Sequence, residues 1–149
     1  MKMKLLAVFS LMMGALLIGC SSQQPEPVVQ IPRRQLELQR LQSLISIVTP
    51  KLEEGDLAGA EAKLEEAYEL ASQIGNLRLM RQIGFTLAIV KLASGDVGGF
   101  IAVVDGLRAR IRGVVLSADE RFLLELAKAY KKRDRKKILD LYKKAVGGD

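Results

Sequence analysis

Few side chains in this chain could carry out covalent or metal chemistry. Its 149 residues include no histidine and a single cysteine, Cys20. Histidine is the commonest general base and a leading metal ligand, so its absence argues against a Ser-His hydrolase and against a metalloenzyme. One cysteine forms neither an internal disulfide nor a cysteine-rich zinc site. The composition therefore predicts a binding or scaffolding protein without catalytic residues, metal or small-molecule cofactor.

Two further patterns could indicate a reactive site, namely neighbouring acids and paired glycines. The acid pairs 53–54 and 65–66 fit an exposed helix surface, because an acid/base pair needs two environments that separate the two pKa values. Gly98-Gly99 lacks the Lys-Ser/Thr that follows in a phosphate-binding loop. Neither pattern predicts catalysis, and an accessory subunit of an enzyme stays open only as a third hypothesis.

Cys20 ends a segment with the features of an export signal. Lys2 and Lys4 precede an apolar run over residues 5–18, and Ser21 follows the cysteine. The run has about 14 residues, fewer than the roughly 20 that a membrane-spanning helix needs. Residues 17–20, Leu-Ile-Gly-Cys, resemble the lipobox of bacterial lipoproteins.

The lipobox resemblance implies an address at the cell envelope. Residues 1–19 would be a signal peptide, and Cys20 would carry covalent lipid that anchors the mature chain in a membrane. Ser21, in place of Asp, is similar to the sorting signal for the outer membrane in Gram-negative bacteria, where the protein would face the periplasm. The alternative is a plain secretory signal with an incidental cysteine or a buried thiol.

Residues 20–32 predict a tether. This stretch holds three of the chain's four prolines and has no helical period. A proline-rich segment extends by about 3.1 Å per residue, so a dozen residues reach roughly 35 Å from the bilayer. The folded domain is expected to occupy residues 33–149.

The apolar spacing from Arg33 onward is helical throughout and predicts an all-α domain of about six helices. Pro50 either kinks the first helix or restarts it with Thr49 as N-cap. Gly75-Asn76 separates the second and third helices, and Gly113 breaks the chain after the fourth. Ser117 and Glu120 form a capping box that opens the fifth. The sixth is expected from about residue 135 to 146.

Three similar turns recur at intervals of about 40 residues, which indicates stacked helical hairpins. They are Glu54-Gly55-Asp56-Leu57, Ser94-Gly95-Asp96-Val97 and Lys132-Arg133-Asp134-Arg135. The third lacks the glycine and is expected to be one residue shorter. With their flanking helices, these turns resemble tetratricopeptide repeats, and the resemblance spans residues 35–146.

The residues that carry the resemblance are small or bulky apolar residues at spacings of three and four. They are Ala60, Leu64 and Ala67 in the first hairpin, Leu87 and Ala88 in the second, and Leu126, Ala127, Tyr130, Ile138, Tyr142 and Ala145 in the third. Phe100 and Leu107 depart from it, because the family has small residues there. The resemblance implies three stacked antiparallel hairpins in a superhelix, and the alternative is a six-helix bundle whose turns recur by chance.

Charge is unevenly distributed along the chain. Seven acids lie between residues 51 and 70: Glu53, Glu54, Asp56, Glu61, Glu65, Glu66 and Glu69. Nine bases lie between residues 128 and 144: Lys128, Lys131, Lys132, Arg133, Arg135, Lys136, Lys137, Lys143 and Lys144. Both runs fit a solvated surface. The basic run could instead bind anionic lipid, an acidic protein or an anionic wall polymer, and head-to-tail self-association stays open. Nucleic acid is not expected as a partner of an exported, lipid-anchored protein.

In tetratricopeptide arrays the inner face of the first helices holds peptides or partner helices. That resemblance points to Phe85, Ile89 and Leu92 as a partner groove, with burial in the core as the alternative. It implies a lipid-anchored scaffold or assembly factor for envelope proteins, like the pilotins of secretin channels or the subunits of barrel-insertion complexes. The alternative function is an envelope module that binds anionic lipid or cell-wall polymer through its basic end.

Overall fold

The computed structural model describes residues 32–147, with side chains through residue 146, and this part of the chain is entirely helical without strands. The helices are α1 Arg33–Glu53, α2 Leu57–Ile74, α3 Leu77–Ala93, α4 Val97–Arg110, α5 Ala118–Lys131 and α6 Arg135–Gly147. Each packs mainly against the next along the chain, which confirms the all-α prediction. The signal peptide, Cys20, Ser21 and the tether up to residue 31 lie outside the described residues.

The helix starts follow from side chains that accept hydrogen bonds from free backbone N–H groups. Asp56 accepts from the Gly59 amide at 2.8 Å, and Asn76 accepts from the Leu79 amide at 3.1 Å. At α5 the predicted capping box is present in both directions between Ser117 and Glu120. These caps explain why the helix starts could be located in the sequence.

Pro50 does not restart the first helix. It lies in the last turn of α1, which runs unbroken to Glu53, so Thr49 is not an N-cap. A proline removes one backbone donor, and this loss is tolerated because the helix ends three residues later. The continuous helix was one of the two alternatives that the sequence left open.

The three turns that join the two helices of each hairpin have the same length and hydrogen bonds, so the expectation of a shorter third turn is wrong. In each turn the amide of the capping aspartate donates to the carbonyl five residues earlier, at 2.8 Å for Asp56, 2.8 Å for Asp96 and 3.0 Å for Asp134. The preceding residue has a positive φ of 77° in Gly55, 83° in Gly95 and 54° in Arg133. Arg133 therefore takes the glycine position without shortening the turn.

The core shows how the second hairpin accommodates its bulky residues. Ala60 and Ala67 are completely buried in α2, and so are Phe100 and Leu107 at the corresponding positions of α4. Gly84 on α3 provides the room, because a Cβ atom there would lie 2.8 Å from Leu107 Cδ2. A small residue on the facing helix thus replaces the small residue expected on α4.

Candidate interaction surfaces

An apolar groove of about 570 Å³ lies where α3, α5 and α6 meet. Its lining comprises Ile89, Leu92, Ala118, Asp119, Phe122, Leu123, Leu126, Tyr142, Lys144 and Ala145. Ile89 is 52% exposed, although it is a large aliphatic residue. Two of the three predicted groove residues, Ile89 and Leu92, therefore line a real groove.

Phe85 does not belong to this groove. Its side chain is only 6% exposed and lies in the hydrophobic core, so it is not available to a partner. The predicted helix register places Phe85 and Ile89 on the same face of α3. Along that face the side chain of Phe85 is buried, whereas that of Ile89 is exposed. Phe122 on α5 was missed, because nothing local in the sequence shows that α5 forms the opposite wall.

A charged clamp fixes α3 to the start of α5 and so sets the walls of the groove. Arg81 Nε donates to Glu120 Oε1 at 2.7 Å, and a terminal nitrogen of Arg81 donates to the Val115 carbonyl at 3.0 Å. Glu120 also accepts from the Ser117 amide at 2.8 Å as part of the capping box. The Arg81 hydrogen bond, more than any other contact, holds the pKa of Glu120 below its usual value.

Tyr142 closes the α6 side of the groove. Its hydroxyl lies 3.1 Å from that of Tyr130, whose ring packs edge-on against Phe100 at a centroid distance of 6.2 Å. Burial, together with the Tyr130 hydroxyl, raises the pKa of Tyr142 to about 12. The Tyr142 side chain is therefore packed against the core and also lines the groove.

The acidic run is largely engaged in ion pairs within the domain. Lys91 reaches from α3 to Glu61 Oε1 at 2.6 Å, Glu65 Oε1 at 2.7 Å and Asp96 Oδ2 at 3.5 Å, with its side chain only 10% exposed. Burial alone would lower the pKa of Lys91, but the hydrogen bonds that its ammonium group donates to the two glutamates outweigh burial and raise the pKa above its usual value. This buried lysine joins α2, α3 and the start of α4.

Two more of the seven acids are also paired. Asp56 Oδ2 lies 2.7 Å from Lys51 Nζ, and Glu66 contacts Arg40 at 2.6 Å and Lys63 at 3.3 Å. Four of the seven acids therefore form ion pairs within the domain, whereas Glu53, Glu54 and Glu69 have no base within ion-pair distance among residues 32–147.

The basic run is different, because most of it has no ion pair within the described part of the chain. Lys131 contacts Asp105 at 2.7 Å and Lys137 lies 3.9 Å from Glu125. The other seven bases have no acid within ion-pair distance among residues 32–147: Lys128, Lys132, Arg133, Arg135, Lys136, Lys143 and Lys144. Arg108 and Arg112 extend this surface onto α4 and its following loop around a hollow of about 450 Å³ beside Lys131. These two arginines were not predicted, because they lie outside the basic run in the sequence.

The outer face of α6 carries apolar residues between lysines. Leu139 is 59% exposed and Val146 is 87% exposed. Lys136 and Lys143 are exposed on the same helix. The four residues are spaced three, four and three apart, which places them in one stripe along the helix. Leu139, Tyr142, Lys143 and Val146 also border a hollow of about 380 Å³. We call the four-residue set the α6 stripe.

The acid pairs and the paired glycines that the sequence singled out lie on helices or at their ends. The acid pairs at 53–54 and 65–66 lie at a helix end and on a helix, and Gly98-Gly99 lies in the first turn of α4. Among the described residues no group of acidic side chains could hold a metal ion. No helix in residues 32–147 is long and apolar enough to cross a bilayer. No protein-family model, curated protein or solved structure matches the chain.

Proposed function

We propose that this protein is a lipid-anchored envelope lipoprotein whose helical domain holds a partner protein in the groove between α3, α5 and α6. The observation that carries the proposal is the exposure of Ile89 above an apolar groove of about 570 Å³. Burying an exposed aliphatic side chain against a partner is favourable by about 25 cal/mol per Å² of apolar surface. The groove therefore supports association with another protein.

The occupant that fits best is a helix with one apolar face. The groove floor is formed by aliphatic and aromatic side chains such as Leu92 and Phe122, whereas Asp119 and Lys144 supply opposite charges in its lining. An apolar helix face could cover the floor, and its flanking polar residues could pair with these two charges. Such a partner would be another envelope protein, in line with the proposed address.

The proposed lipid anchor and the tether would hold the helical domain near a membrane. The lipobox-like residues 17–20 support acylation of Cys20, and residues 20–32 supply reach from the membrane. In a Gram-negative cell Ser21 favours the outer membrane, with the domain in the periplasm. The function is then positional: the lipid holds the protein at one membrane, and the groove presents or retains a partner during assembly of an envelope complex.

The decisive experiment is crosslinking in the native envelope followed by mass spectrometry, with the parent chain and two variants. Ile89→Glu places a charge in the groove and is expected to remove the crosslinked partner. Ile47→Glu is the matched control, because Ile47 is also an exposed isoleucine but lies on α1 away from the groove. Both variants should keep the parent melting temperature. Retention of the same partner by Ile89→Glu would rule out the groove as its binding site.

A further inference from the structure

The α6 stripe exposes apolar surface at the end of a helical stack. Leu139 and Val146 alternate with Lys136 and Lys143, and this face of α6 has no helix packed on it in the described chain. Terminal elements of stacked helical proteins need a polar outer face for solubility. Lysines beside exposed aliphatic residues suit a membrane interface, because a lysine stem can lie along apolar surface while its ammonium group reaches the lipid phosphates.

We propose that the α6 stripe docks onto the anionic phospholipid headgroups of the same bilayer that holds the lipid anchor. Leu139 and Val146 would insert into the headgroup region, and Lys136 and Lys143 would contact lipid phosphates. This inference rests on the proposed anchoring through Cys20, and it adds an orientation of the folded domain on the membrane.

Charge complementarity favours an anionic surface. Seven of the nine bases between residues 128 and 144 have no ion pair in the described structure, and Arg108 and Arg112 add to the same end of the domain. Each Lys or Arg near an anionic membrane improves binding about fivefold, and the attraction is confined to roughly one Debye length. A surface of this kind binds weakly by itself but strongly once a tether keeps it close.

The apolar residues distinguish a bilayer from other anionic partners. A wall polymer would satisfy the lysines but would leave Leu139 and Val146 exposed to water. A second copy is disfavoured in both arrangements. Symmetric pairing of two α6 stripes would bring four lysines into one contact. A head-to-tail contact would need the acids between residues 51 and 70, and four of these seven are already paired with bases of their own domain.

The tether has a length that permits docking. Thirteen residues from position 20 to position 32 span at most about 45 Å when fully extended. A helix of α6's 13 residues is about 20 Å long. With Cys20 acylated as proposed, the start of the domain would lie within about twice the length of α6 from the bilayer, and the local concentration of the domain at the surface would stay high.

A depth measurement with an environment-sensitive fluorophore tests the proposal. The acylated parent has no free thiol, so Val146→Cys or Leu36→Cys adds a single labelling site; Leu36 is an exposed control on α1. The full-length chain is reconstituted in vesicles of phosphatidylcholine alone, or with added phosphatidylglycerol, each containing brominated lipid as quencher. In the anionic vesicles we expect lipid quenching of the fluorophore at position 146 but not at position 36. High salt should remove the quenching at position 146. Lys136→Gln with Lys143→Gln should lower the ratio of docked to undocked protein about 25-fold.

Several outcomes would overturn the proposal. These are no lipid quenching at position 146 while the protein stays on the vesicles, equal quenching at positions 36 and 146, or equal quenching in neutral vesicles. An apolar shift at 146 without lipid quenching would indicate a second copy instead. Failure of the anchor is detected separately, because unacylated Cys20 would react with the label in the parent chain. The Val146 probe is then placed in a Cys20→Ser chain, and the same quenching is measured with vesicles in excess.

Discussion

Replacing Arg133 by glycine should stabilise the domain, because Arg133 occupies the left-handed position that glycine fills in the other two turns. Its φ is 54°, against 77° in Gly55 and 83° in Gly95, and the three turns share one hydrogen-bond pattern. A residue with a Cβ in this conformation costs about 1–2 kcal/mol. Removing this strain stabilises the folded state, but glycine also increases the entropy of the unfolded chain, and this offsets about 0.4–1 kcal/mol of the stabilisation. The net gain for Arg133→Gly is therefore about 1 kcal/mol.

This gain converts into a measurable shift in melting temperature. Unfolding entropy near 60 °C is about 2.1 cal/mol/K per residue, so for the 116 residues between 32 and 147 a change of 1 kcal/mol shifts the Tm by about 4 °C. Thermal unfolding followed by circular dichroism on the parent and the variant measures it. The reciprocal variant Gly95→Arg should lower the Tm by a similar amount, because a Cβ at Gly95 meets no atom within 4 Å and the cost is purely conformational.

Charge is the competing explanation, since Arg133 lies among other bases. Arg133→Ala removes the same charge but keeps the Cβ, so the backbone argument predicts little change for it. Equal stabilisation by Arg133→Ala and Arg133→Gly would show that charge relief raises the Tm, and the conformational reasoning would then be refuted. An unchanged Tm in Gly95→Arg would refute it independently.

Three further predictions concern packing and buried charge. Gly84→Ala should lower the free energy of unfolding by about 1 kcal/mol or more, because overpacking against Leu107 and Tyr68 exceeds the gain in helix propensity. Gly106→Ala on α4 should raise the free energy of unfolding by about 0.5–1 kcal/mol, because a Cβ there has no atom within 4 Å. Urea unfolding measures both variants, and equal effects would contradict the close approach at Gly84. Lys91→Met should lower the free energy of unfolding by about 1–3 kcal/mol at neutral pH, because it leaves partly exposed carboxylates unpaired. The loss should shrink in acid, where these carboxylates are protonated. A loss that does not depend on pH would indicate packing alone. The pKa of Glu120 is lowered on folding, so the stabilisation of the fold by ionised Glu120 is complete above about pH 4.5 and is lost as the pH falls through the pKa of the folded state. Glu120→Gln should therefore flatten the acid side of the curve of unfolding free energy against pH. An unchanged slope would argue against the Arg81 clamp.

Local patterns in the sequence were sufficient to predict the helices and the positions of most helix ends. The capping box at Ser117 and Glu120, and the aspartates at the turns, act within four residues, so they can be recognised without tertiary structure. The third turn was misjudged because only the fold shows that Arg133 adopts the glycine conformation. The hydrogen bond from the Asp134 amide to the Ala129 carbonyl forms in this turn although it has no glycine.

Contacts between helices could not be predicted in the same way. Arg81 and Glu120 are 39 residues apart, and Lys91 and Glu61 are 30 apart. Which acid pairs with which base depends on how the helices stack, and so does the difference between buried Phe85 and exposed Ile89. The charge runs were visible in the sequence, but only the structure showed that the acidic run is mostly paired and the basic run mostly is not.

The two proposed surfaces meet on α6, and this has a consequence for how they would work together. Tyr142 borders both the groove and the hollow beside the α6 stripe, so the groove opens next to the face that we propose docks on lipid. A partner helix in the groove would then lie close to the headgroups, where segments of membrane-embedded proteins emerge from the bilayer. Docking would also reduce the orientations that the tethered domain explores, and this lowers the entropic cost of binding such a partner. If both proposals hold, the tether, the α6 stripe and the groove would each favour capture of a protein at the membrane surface.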